Sequence, residues 1–264
     1  MGSRRIVTPI ALALSVVITA SAAAQEARST SRSCGKVLDS AVCTWVVTES
    51  GTAVELGATI PIALIEAVPL EAEMVWPPEQ MATIALPSEA RTALGFDHLA
   101  INWEAHGHPP TTFMAPHFDF HFYNITQAEV RAIDCSDETK PRSIPAGYAL
   151  PDVDIPGMGV LVGLCVPNMG MHAMAEGDLA ETGAFEASML VGYYGGEAAF
   201  IEPMVSRDRL LEKSDFALAV PVVENLPAGV RYPTEFRAEY DAEGSQYRLV
   251  FTGFDSDRPS NAGE

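Results

Sequence analysis

The run Pro116-His117-Phe118-Asp119-Phe120-His121-Phe122-Tyr123 alternates polar and aromatic side chains without a break. In a β-strand that alternation puts His117, Asp119, His121 and Tyr123 on one face and Phe118, Phe120 and Phe122 on the other. The phenylalanine face belongs in a core. The opposite face then presents two imidazoles, a carboxylate and a phenol in a row. His106-Gly107-His108-Pro109-Pro110 lies just upstream, and five of the six histidines are His106, His108, His117, His121 and His172. Such a concentration points to a metal site or an acid–base site.

The rest of the chain agrees with a strand at its centre. Ala41 to Thr48 and Ala53 to Ile60 are β-branched and apolar and flank the turn Glu49-Ser50-Gly51-Thr52. Met81 to Leu86 is a short strand, and Phe96 to Glu104 alternates again, with His98, Ala100, Asn102 and Glu104 on one face. Glu186 to Tyr194 and Glu197 to Glu202 flank Gly195-Gly196, a two-residue hairpin signal. Phe236 to Tyr240 and Tyr247 to Phe251 form a last hairpin. Helices are short: Pro61 to Ala67, Pro87 to Gly95 with Ser88 as N-cap, one after the capping box Thr126-Gln127-Ala128-Glu129, and one capped by Ser206. Residues 137–154 read as irregular surface. The expected fold is mainly β, an antiparallel β-sandwich or barrel with a few short helices.

Residues 1–24 read as a signal peptide: Arg4 and Arg5, an apolar run from Ile6 to Ala20, then Ala22-Ala23-Ala24. The apolar run is about 15 residues, short of the roughly 20 that a spanning helix needs. Residues 25–40 are expected as a polar N-terminal tail, 41–255 as a single β-rich domain and 256–264 as a C-terminal tail. No later stretch is long and apolar enough to be a transmembrane segment. Without Arg4 and Arg5 the 16 basic residues become 14 against 35 acidic ones, a net charge of −21. A chain this acidic is repelled by phosphate backbones, so nucleic acid is excluded as a partner class. Four cysteines in an exported chain suggest two disulfides, with Cys34–Cys43 and Cys135–Cys165 the local pairing. The expected location is periplasmic or extracellular.

Same-face neighbours on a strand are about 6.5 Å apart and residues four apart about 13 Å. His117 and His121 therefore do not share one ion on a regular strand; one pairs with Asp119, and the other points to a second site, a hydrogen bond or a bulge. Two constellations follow. In the first, Asp119 and His121 join His108, His172 or Glu202 around one divalent metal ion such as zinc, manganese or iron. Glu202 then serves as ligand or as general base, and His117 as a supporting donor or acid–base group. In the second, His117, Asp119 and His172 form the two-histidine, one-carboxylate triad of non-haem iron oxygenases. Without an ion, the same face is a buried polar network and the protein a non-catalytic envelope-stress or binding protein. His98 stands alone as a half-exposed residue, and Tyr123 packs with its hydroxyl on a carbonyl. Met158, Met169, Met171 and Met174 offer thioethers to copper(I) or fill the core.

Asn102-Trp103, Gly107-His108-Pro109-Pro110 and Pro116 to Tyr123 resemble a family of exported bacterial proteins of unassigned function. That family is typified by a Thermus protein under the control of the extracytoplasmic sigma factor sigma-E. Gly157-Met158-Gly159, Gly170-Met171-His172, Phe200-Ile201-Glu202-Pro203-Met204 and Tyr232-Pro233-Thr234 extend the resemblance from about Gly51 to Phe254. Where the family places an aromatic after this histidine, the chain has Ala173. The resemblance implies a homo-oligomer and names no reaction; a small-molecule ligand is the partner expected at the histidines.

Overall fold

The computed structural model describes Gly2 and residues 28–254, apart from residues 74, 156, 158, 181–184 and 225. The expected signal peptide, the C-terminal tail and Met158 lie outside the described residues.

Three ten-residue strands open the fold, β1 (Arg28–Val37), β2 (Ser40–Glu49) and β3 (Thr52–Pro61). Helix α1 (Ile62–Ala67) follows Pro61. Then come β4 (Ala82–Ala85), α2 (Ser88–Leu94), β5 (His98–Glu104), β6 (His117–Tyr123) and α3 (Gln127–Ala132). A long connection carries β7 (Tyr148–Ala149), β8 (Val153–Ile155) and β9 (Gly159–Leu161) to β10 (Met171–Ala175) and α4 (Glu176–Ala180). The chain continues through β11 (Ala187–Tyr194), β12 (Glu197–Ser206), α5 (Arg207–Leu211), β13 (Phe216–Ala219), β14 (Glu235–Asp241) and β15 (Gln246–Thr252).

These strands form two open antiparallel sheets, β1-β2-β3-β15-β14-β13 and β4-β5-β6-β12-β11-β10-β7, with β8 and β9 as a separate pair. Neither closes on itself, so the sandwich is observed and the barrel is not. The alternation in β6 does what its pattern requires. Phe118, Phe120 and Phe122 enter the core between the sheets, where Phe122 meets Phe251 of the facing sheet at 5.1 Å between ring centroids. Aromatic rings interdigitating from both inner faces are what hold such layers together.

The other face of β6 is buried as well, because all seven of its residues are. A second apolar cluster of Phe113, Leu164, Met174, Phe185, Leu190 and Met204 lies outside the second sheet. The irregular connections fold back over the histidine face and keep it from solvent.

Local expectations held at several ends. Thr126 and Glu129 form the capping box of α3, Gly95 ends α2 in a left-handed conformation, and the Ser206 hydroxyl accepts from the Arg209 amide. Both disulfides are the local ones, Cys34–Cys43 and Cys135–Cys165. Three expectations need correction. From Arg28 onward the expected tail is β1, an edge strand whose polar residues face water and whose ladder pairs Cys34 with Cys43. Pro87, rather than Ser88, takes the N-cap of α2. Strand β12 does not stop at Glu202; it runs through Pro203 to Ser206. Its ladder to β6 skips Glu202 and Pro203, as expected where proline has no N–H to give.

Candidate metal centre

Strand register assembles the site. In the second sheet β6 lies between β5 and β12, with Asn102 opposite Asp119, Glu104 opposite His117 and Met204 opposite Asp119. Side chains opposite one another in neighbouring strands share a face. The polar residues of β5, β6 and β12 therefore converge beneath the second cluster. His172 arrives from β10, paired with Gly192 of β11. His108 arrives from the loop after β5. That loop is tight: its Gly107 has φ 66°, and a side chain there would meet the Phe113 carbonyl at 2.2 Å. The His108 amide donates to the same carbonyl, 3.1 Å away.

The result is two triads. Ligand-type atoms of His108, His117 and Asp119 lie within 4.8 Å of one another, and so do those of His121, His172 and Glu202. In the first, Asp119 stands 3.2 Å from His117 Nε2 and 3.8 Å from His108 Nε2. In the second, Glu202 Oε2 stands 3.6 Å from His121 Nε2 and 3.9 Å from His172 Nε2. Donors held about 2.1 Å from a tetrahedral ion are about 3.4 Å apart. The four measured separations bracket that value. As hydrogen bonds they fail: His117 Nε2, Asp119 Oδ1, His121 Nε2 and Glu202 Oε2 are buried and have no hydrogen-bond partner, the 3.2 Å approach being out of line.

Three of the four imidazoles are aimed by the backbone. His117 Nδ1 donates to the Ala115 carbonyl at 2.6 Å, His108 Nδ1 to Pro109 at 2.9 Å and His172 Nδ1 to Leu164 at 3.1 Å. A carbonyl only accepts, so Nδ1 carries a proton and Nε2 of the neutral ring keeps its lone pair for an electrophile; at His117 the pairing with Asp119 favours a second proton, which an ion would displace. This is the usual outer support of a metal-bound histidine. His121 has no such anchor. Its ring is fixed by packing instead, edge-on to Phe200 at 4.9 Å and stacked on Tyr123 at 5.6 Å. Phe200 also packs against His172 at 5.1 Å.

The electrostatics follow from burial. Loss of water pushes His121 down to about 3 and His172 to about 4, so both are neutral ligands at ordinary pH. Burial also lowers His108, helped by the nearby His117. Burial drives Glu202 well above the usual carboxylate range, and Asp119 and Glu104 add to it. Glu104 is pushed up to about 7 by burial and then by Asp119. Asp119 runs the other way: burial opposes its charge, but His117 outweighs it and holds Asp119 at about 2. The same attraction overcomes burial at His117 and raises it.

A cavity of about 50 Å³ opens beside these groups. Glu104, His108, Asp119, His121, His172 and Glu202 line its floor, and Trp76, Pro78, Pro109, Ile155 and Val166 its apolar walls. A water needs roughly 10–15 Å³, so there is room for about three to five.

The structure brings the six candidate ligands His108, His117, Asp119, His121, His172 and Glu202 together in two groups. His117 lies in one group with Asp119 and His108, each offering an atom that could hold an ion. His172 meets His121 and Glu202 and not the pair His117 and Asp119, so that three-residue set is not among the assembled groups. His106 stays outside, its Nε2 on the Ala72 carbonyl. His98 is buried, not half-exposed; it lies 3.0 Å from Asp97 and stacks on Tyr123. Tyr123 does reach a carbonyl, that of Met169, at 3.4 Å. Met171 lies in the main core and Met174 in the second cluster, so both fill space. Glu104 was missed, although the alternation of Phe96 to Glu104 had placed it on a polar face. Compared with family models, curated proteins and solved structures, the chain matches none, so no kinship adds to this geometry.

Proposed function

We propose that the protein is an exported metal-binding β-sandwich protein whose centre is open to a small molecule. The observation that carries the reading is the set of buried nitrogens and oxygens left without hydrogen bonds, together with the carbonyls that turn three imidazoles toward them. An unpaired buried polar group costs about 1–3 kcal/mol, and a divalent cation removes that cost for several groups at once. Mixed nitrogen and oxygen donors suit zinc, manganese or iron. The all-buried triad of His121, His172 and Glu202 is the best-formed ligand set.

The cavity favours a working centre over a structural one. Structural sites are closed by protein ligands, whereas three protein ligands beside a space for water leave a position for a substrate. The ion would act there as a Lewis acid or as the source of a bound hydroxide, with Glu104 placed to exchange a proton. The two disulfides support an oxidising compartment. Among the described residues no helix is long and apolar enough to cross a membrane.

Elemental analysis of protein purified from its own compartment tests the reading. Stoichiometric transition metal is expected, and His121→Ala should lose it. Protein that holds no metal and takes up none on addition of zinc, manganese or iron would end the proposal.

A further inference from the structure

The unpartnered atoms are divided between the triads. His117 Nε2 and Asp119 Oδ1 belong to one; His121 Nε2 and Glu202 Oε2 belong to the other. A single ion satisfies one pair and leaves the other buried and unpaired. It also cannot span both, because His117 and His121 are four residues apart on the regular strand β6, about 13 Å at the backbone. Members of both triads nevertheless line the same cavity. Asp119 and His121, one from each triad, are same-face neighbours about 6.5 Å apart at the backbone.

Resting on the metal-binding reading above, we infer that the cavity holds two divalent ions, one at His108, His117 and Asp119 and one at His121, His172 and Glu202, joined by a small oxygen-donor anion. Charge selects the class of that third component. Two divalent ions against the carboxylates of Glu104, Asp119 and Glu202 leave one positive charge in a water-poor space. Among the described residues no lysine or arginine lines the cavity, so the ions are what recruits an anion, and they do so in a protein of net charge −19. Space and walls limit it to hydroxide or a small oxyanion: the volume holds about three to five waters, two of whose places the ions take, and the walls are tryptophan, proline and aliphatic side chains. Paired ions a few ångströms apart are the arrangement that clamps both ends of a small oxygen-bearing ligand.

The test loads chelator-stripped protein with Mn(II) alone and reads metal content with the electron paramagnetic resonance spectrum. Two ions per chain with the spectrum of a magnetically coupled pair are expected. His117→Ala and His172→Ala should each leave one uncoupled ion. Should either variant fail to fold, His117→Gln and His172→Gln replace them, and the wild-type stoichiometry and spectrum decide without any variant. One ion per chain overturns the pair and leaves the metal-binding reading standing. Two uncoupled ions overturn the shared centre. No bound manganese overturns the manganese pair, and if zinc and iron are also refused both readings fall and waters fill the cavity.

Discussion

Phe200 lies so close over the backbone of Gly192 that a Cβ there would sit 1.9 Å from its ring. The contact matters because the same ring packs against both His121 and His172. His121, which lacks a backbone anchor for its Nδ1, depends on this wall most. Gly192→Ala must therefore displace Phe200. Overpacking of this kind costs about 1–3 kcal/mol. We expect the variant to unfold at lower denaturant concentration and to bind metal more weakly. Unchanged metal affinity in a destabilised protein would show that Phe200 only fills space.

Metal-free protein should have its stability optimum between pH 4.5 and 6.5, the ordinary values of its buried carboxylates and imidazoles. His121 and His172 are depressed to about 3 and about 4, so the unfolded chain binds their protons first. Their contribution is complete above 6.5 and is lost as pH falls. Glu202 and Glu104 are raised, Glu104 to about 7. Their contribution is complete below 4.5 and is lost as pH rises. Between the two values the slopes oppose one another, and His108 and His98, also lowered, tilt the optimum toward the upper end. A bound cation favours the ionised carboxylates and should remove the loss on the alkaline side. Melting temperature against pH, with and without chelator, reads both effects. Identical curves would count against ligation by Glu202.

The alternation in β6 is legible because strand geometry has a period of two and tolerates no slip. It places His117, Asp119 and His121 on one face from the pattern alone. The same argument separated His117 from His121, and two triads are the outcome. What alternation cannot supply is the neighbour across the ladder. Glu104 became a site residue through its register with His117, which is a pairing between strands. The carbonyls of Ala115, Pro109 and Leu164 have no side-chain signature at all, yet they aim three of the imidazoles. The burial of the histidine face escaped for a related reason. Its cover comes from connections whose sequence is irregular, such as the two that carry Phe113 and Leu164.

His98 separates stability from ligation. It is buried against Asp97 and Tyr123, and neither triad includes it. His98→Ala should leave a cavity and strand the Asp97 carboxylate beside Arg91, its remaining partner at 2.7 Å. A loss of about 2–3 kcal/mol is expected. Metal content should stay at the wild-type value in protein that is folded. Loss of metal here equal to the loss in His121→Ala would mean that general instability had been mistaken for ligation.

The two disulfides should differ in what they do for the centre. Cys165 follows Leu164, whose carbonyl orients His172, and its bond to Cys135 ties that segment to the chain after α3. Cys34–Cys43 joins β1 to β2 in the other sheet. By loop-closure entropy the 30-residue separation stabilises by about 3–4 kcal/mol and the 9-residue separation by about 2–3. The double variant Cys135→Ser, Cys165→Ser should therefore lose stability and also weaken metal binding, because the Leu164 carbonyl is no longer held against Nδ1. The double variant Cys34→Ser, Cys43→Ser should lose stability alone. Metal titration of both variants below their melting temperatures makes the comparison. Equal affinities would mean that the His172 ring is held by Phe200 and its strand, without help from the Leu164 carbonyl.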